Sequence, residues 1–131
     1  MSDKTQQARL AQVQGMAYVV TGIWPIIHRR SFEAVTGPKV DFWLVRTVGA
    51  LITVIGAVLL LGSRRSRWVP EFTFLAAGSA LCLAIVDIVG VAVRRISPIY
   101  LLDAVGELAL VAAWAKAEQS PAAEEGVPPG P

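Results

Sequence analysis

Long apolar runs, broken only by short arginine blocks, constrain this chain more than any other feature. Arg29–Arg30, Arg64–Arg65 with Arg67, and Arg94–Arg95 stand between stretches that lack the polar faces a helix in water shows at helical period. A bilayer core about 30 Å thick takes about 20 apolar residues. Four stretches read as spans: Leu10–Ile27, Phe42–Gly62, Phe72–Val93 and Pro98–Trp114, the last reaching Lys116 if that side chain snorkels to the interface. The first is polar at its start (Gln12, Gln14) and carries Pro25 near its end. Composition agrees, with 54% of the 131 residues hydrophobic and a mean hydropathy of +0.55. The expectation is an all-α, four-transmembrane-helix bundle over residues 10–117. A polar leader, 1–9, precedes it, and an acidic, proline-rich tail, 118–131, follows without apolar periodicity and is expected to be disordered.

The links carry their own signals. Between His28 and Asp41, Ser31 can cap a short helical turn whose Phe32 and Val35 lie on the membrane surface, and Gly37–Pro38 stops it. Asp41 stands as an N-cap before Phe42, Pro70 opens the third span, and Ser97–Pro98 opens the fourth. The first span reads as a retained helix because no small-x-small cleavage site leads into a soluble domain. The single cysteine, Cys82, falls mid-span and reads as a packing residue. The net charge of +2 comes from arginines at helix ends, where they anchor to lipid headgroups, so the partner is a bilayer and not nucleic acid. Four spans put both termini on one side. Lysines and arginines divide six to six between the two sides, which decides no orientation and also permits insertion both ways round; both termini are expected in the cytoplasm.

Charges inside the apolar runs are the functional signal, because each costs about 2.5–3.5 kcal/mol at a helix centre. Asp103, Glu107, Leu110 and Trp114 share one face of the fourth stretch. Asp87 shares a face of the third with Ala80, Ala84, Val91 and Arg94, beside an Ala76–Ala80–Ala84 ladder suited to close helix approach. Arg46, Gly49, Thr53 and Gly56 form a stripe on the second, and Gly15, Tyr18 and Gly22 on the first. At about 1.5 Å per residue, Arg46, Asp103 and Asp87 lie about 6, 8 and 9 Å from one membrane side, and Glu107 about 13 Å. Arg46 is expected to pair with Asp87 or Asp103, and Arg94 to reach back toward Asp87. Glu107, the deepest, is left as the acid that exchanges a proton or meets a cationic ligand. The candidate ligand- or proton-binding set is therefore Glu107, Asp103, Asp87, Arg46, Tyr18 and His28.

Several chemistries lack their residues. The chain has no HExxH, no paired CxxC, no phosphate-binding glycine loop and no nucleophile elbow. One histidine and one cysteine point to no metal site and no cofactor. Three functional classes follow. The leading one is a protein that binds or moves a small or lipid-like ligand in a polar intramembrane cavity with a proton-titrating carboxylate. The second is an accessory membrane subunit whose buried ion pairs only specify helix packing. The third is a membrane enzyme on a lipid-like substrate, with His28 or Glu107 as acid or base. A homo-oligomer fits each of these, because glycine faces remain for a second copy.

Residues 18–49, YVVTGIWPIIHRRSFEAVTGPKVDFWLVRTVG, carry the Trp24–Pro25 pair, the Arg-Ser-Phe-Glu run from Arg30 to Glu33, the TGPKVD turn at Thr36–Asp41, and Arg46. This stretch resembles the opening of small bacterial four-helix integral membrane proteins. The resemblance implies architecture and a bacterial inner membrane, and carries no catalytic residues across.

Overall fold

The computed structural model describes residues 3–37, 39, 41–65 and 67–118. It is all-α, with five helices: α1 (Asp3–Ile27), α2 (Arg29–Thr36), α3 (Phe42–Ser63), α4 (Pro70–Ala92) and α5 (Tyr100–Glu118). Three of them are long and apolar enough to cross a membrane: α1 over Gln6–Ile27, α3 over Phe42–Ser63 and α4 over Pro70–Ala92. These point to a membrane protein. The expected fourth span is helical too, but its 19 residues hold Asp103, Glu107, Lys116 and Glu118, too many charges to qualify on composition. α1 begins at Asp3, so the segment read as a leader is helical from there on. Beyond Glu118 the expected tail lies outside the described residues, as does Pro38.

Burial runs opposite to a water-soluble protein. Phe74 is 82% exposed, while Glu107 and Asp87 are each 5% exposed. The interior is built from alanines and glycines with Gln14, Tyr18, Thr73, Asp87 and Glu107, and the outside from leucine, valine, isoleucine and phenylalanine. Such a surface gains nothing in water and suits acyl chains.

The tightest contact joins α1 to α3, and glycine makes it possible. A Cβ at Gly22 would stand 2.5 Å from the carbonyl oxygen of Gly49, and one at Gly15 would stand 2.8 Å from that of Gly56. Gly15 and Gly22 are seven residues apart, as are Gly49 and Gly56, so the antiparallel pairs Gly15·Gly56 and Gly22·Gly49 fall on one seam. Pro25, buried in the last turn of α1, also faces Gly49. The second pairing is α4 with α5, where Ala76, Ala80, Ala84 and Ala104 are buried. α1 joins the two pairs, with α5 as its main neighbour on that side.

The helix ends differ from the sequence reading in instructive ways. α2 is capped by His28, not Ser31: the imidazole Nδ1 accepts from the backbone N–H of Ser31 at 3.2 Å and lies 2.6 Å from its hydroxyl. Ser31 sits within α2, where its Oγ accepts from the Trp24 indole N–H at 2.7 Å. Asp41 takes the N-cap position of α3 but makes no side-chain cap bond. Gly37 ends α2 at φ +92°, which favours glycine. α4 ends with Arg94 at φ +60°. The N–H of Arg94 bonds Val91 O at 3.0 Å and that of Arg95 bonds Gly90 O at 2.8 Å, the two bonds of a Schellman close, with arginine where glycine is usual. Ile96 folds back onto Gly90, whose added Cβ would meet it at 2.7 Å.

Candidate functional site

The site grows from one face of α1. Gln14 and Tyr18 are one helical turn apart, both buried, and both point to α4 and α5. The Tyr18 hydroxyl donates to Glu107 Oε2 at 2.6 Å. The Gln14 amide N–H donates to Ala76 O at 2.8 Å, and its carbonyl oxygen accepts from the Trp114 indole N–H at 2.7 Å. One glutamine thus ties three helices together. Trp114 stacks on Trp68 at a centroid distance of 5.5 Å and shares an apolar cluster with Ala11, Leu59 and Ala76. Ser79 and Gln14 stand beside the phenol of Tyr18.

From Glu107 the polar groups continue toward the α2 end of the bundle. The carboxyls of Asp87 and Asp103 lie side by side, and both are within electrostatic reach of Glu107. Asp87 is buried, and its Oδ2 has no hydrogen-bond partner among the described residues. Tyr100 neighbours Asp87, Asp103 and Thr36. Above it, Lys39 Nζ stands 5.1 Å from the ring centroid of Tyr100 and donates to the carbonyls of Thr36 at 2.8 Å and Gly37 at 3.0 Å. Partial burial lowers the Lys39 ammonium below its ordinary value, and Glu33 opposes that shift. A string of polar groups therefore runs from the middle of the bundle to its α2 end.

The structure brings together Tyr18, Asp87, Asp103 and Glu107, and leaves out the other two sequence candidates. Arg46 is exposed and lies over the Phe42 ring at 5.3 Å. It pairs with neither Asp87 nor Asp103, because its side chain turns back over Phe42 at the start of α3. Arg94 is exposed as well, held in the turn that closes α4. Among the described residues no lysine, arginine or histidine forms an ion pair with any of the three acids; the ion pair that is formed, Arg29 with Glu33, lies within α2. His28 is exposed and engages Ser31, so its visible role is to cap α2. Asp103 is itself exposed. Two residues outside the candidate set are central: Gln14, whose one-turn spacing from Tyr18 was the available signal, and Trp114, which shares the Glu107 face.

The arrangement offers acceptors without cationic partners: a carboxylate held by a phenol, and a second with a vacant oxygen. Among the described residues, no three His, Cys, Asp or Glu side chains converge closely enough to hold a metal ion. The chemistry available is uptake of a proton or of an N–H donor. Two open clefts lie elsewhere, along α4 and at its N-terminal end. Comparison with known proteins finds no matching family model, no matching curated protein and no matching solved structure.

Proposed function

We propose that this chain is a four-span protein of a bacterial inner membrane that binds or moves a small or lipid-like ligand at the Tyr18–Asp87–Asp103–Glu107 site, with a carboxylate that exchanges protons. The observation that carries the reading is the unpartnered Oδ2 of buried Asp87, next to acids that no described cation neutralises. Leaving such a group unsatisfied costs about 1–3 kcal/mol or more, an expense that a bound proton or ligand would offset. α5 is the fourth span in this account. Its 19 residues cover about 28 Å at 1.5 Å per residue, and between Ala104 and Ala115 its one charge, Glu107, faces inward. Both termini then share a side. We assign that side to the cytoplasm, an orientation that the even division of lysines and arginines leaves open to test.

A second reading is supported by the Gln14 bonds. They are buried, and they tie α1, α4 and α5 together with no ligand required. On that reading the acids only specify helix order, as in an accessory subunit.

Proteoliposomes carrying an internal pH-sensitive dye separate the two. Challenged with alkylamines, quaternary ammonium compounds and neutral lipid-like alcohols, wild type moves protons with at least one class, and Glu107→Gln is silent. A Glu107→Gln response equal to wild type between about pH 5 and about pH 9 contradicts the ligand reading. Silence of wild type to all three classes favours the accessory one.

A further inference from the structure

At the end of the bundle where the 64–69 link joins α3 to α4, away from Asp87 and Asp103, the surface along α4 is furnished for a different ligand. Two open clefts meet there at Phe72. One, of about 430 Å³, lies at the start of α4 and is lined by Arg65, Arg67, Val69 and Phe72. The other, of about 640 Å³, runs down α4 past Phe74, Leu75, Gly78 and Cys82, with Val58 of α3 on its far wall. Their shared wall is fixed. The Phe72 ring rests on Gly62, where an added Cβ would meet it at 3.2 Å, and Trp68 packs against it at a centroid distance of 5.1 Å.

Charge and depth are matched to one kind of molecule. Arg65 and Arg67 are exposed at the helix-end level, where headgroup phosphates lie. Guanidinium groups suit phosphate oxygens because two N–H donors meet two acceptors. The α4 N-terminus beside them has no side-chain cap bond, which adds partial positive charge. Glu71, on the rim of the deeper groove, is the one carboxylate lining either cleft. Below the arginines the walls are apolar apart from Ser79, and Gly78 leaves open space where a side chain would stand.

We propose that this double cleft is a binding site for one anionic phospholipid, with its phosphate held by Arg65 and Arg67 and one acyl chain lying in the groove over Gly78. The site rests on the membrane reading; its groove passes Ser79, which also stands beside Tyr18, while the phosphate end at Arg65 and Arg67 lies away from the carboxylate cluster. Two arginines near the surface favour an anionic over a zwitterionic headgroup, so phosphatidylglycerol should be retained roughly thirtyfold more tightly than phosphatidylcholine of the same chains.

Native mass spectrometry of the full chain in mild detergent, titrated with each lipid, reads this directly. Wild type is expected to prefer phosphatidylglycerol. Arg65→Gln with Arg67→Gln should abolish the preference while leaving some phosphatidylcholine bound. Gly78→Leu fills open space, so the fold tolerates it, and it should weaken both lipids. Glu107→Gln should bind lipid as wild type does, whatever becomes of the proton-exchanging site. Equal retention of the two lipids by wild type, or unchanged retention in Gly78→Leu, overturns the proposal. So does a dimer that added phosphatidylglycerol fails to dissociate and Gly78→Leu breaks, since the groove would then hold a second copy.

Discussion

α1 uses two faces in opposite ways. Toward α3 it offers Gly15 and Gly22, and the contact is backbone on backbone with no room for a β-carbon. Toward α4 and α5 it offers Gln14 and Tyr18, and the contact is made by polar side chains reaching across. The first seam is sterically exact and chemically silent. The second is held by hydrogen bonds and borders groups that can exchange a proton. In lipid, where apolar association drives little, these are the two available ways to join helices. This chain assigns one to scaffold and the other to site.

The largest expected effect breaks the steric seam. Gly22→Ala puts a methyl 2.5 Å from both Gly49 O and Thr53 Oγ1, which should cost about 3 kcal/mol in bicelle unfolding experiments. Gly78→Ala and Gly106→Ala meet nothing within 4 Å and should be neutral or gain up to about 1 kcal/mol. Equal losses at all three positions would show that glycine is needed for something other than close approach.

Gln14→Leu tests the polar seam. It strands the Trp114 indole N–H, bonded at 2.7 Å, and removes one of the bonds to Ala76 O, at 2.8 Å, and should cost about 1–2 kcal/mol. The same change should alter Trp114 fluorescence, because the stacked Trp68–Trp114 pair is anchored through it. Unchanged stability would mean that packing alone holds this side.

The smallest effect lies outside both seams, on α2. The Arg29 guanidinium beside Glu33 holds that carboxyl below its ordinary value of 4.5. A depressed folded value means that the stabilisation is present above the unfolded value and fades as pH falls through the folded one. A spin label on α2 should therefore gain mobility on acidification below about pH 4.5, and Glu33→Gln should remove the pH dependence while the α1·α3 seam stays intact.

How much of this was legible in the sequence follows from what periodicity encodes. Repeats along one helix name its faces, so the glycine stripes of α1 and α3 and the inward side of Asp87 and Glu107 could be read. Periodicity does not say which faces meet. The partner of Trp114 is Gln14, 100 residues away, and nothing local to either announces the other. Nor does a face assign a direction to a long side chain near a helix end: Arg46 shares a stripe with Gly49 yet turns outward over Phe42. His28 was a candidate acid or base from its place at the end of the first span, and the structure gives its ring to the cap of α2. α5 was legible as a helix, but its charges keep its composition from establishing a span.

Infrared difference spectroscopy of the protein in lipid, with pH as the perturbation, tests the central claim most directly. If Asp87, Asp103 and Glu107 form an uncompensated site at the polar seam, wild type shows a pH-dependent carboxyl band. Glu107→Gln and Asp87→Asn each remove part of it, and Tyr18→Phe shifts its frequency by withdrawing the phenol from Glu107. A spectrum that all three variants leave unchanged would contradict the account.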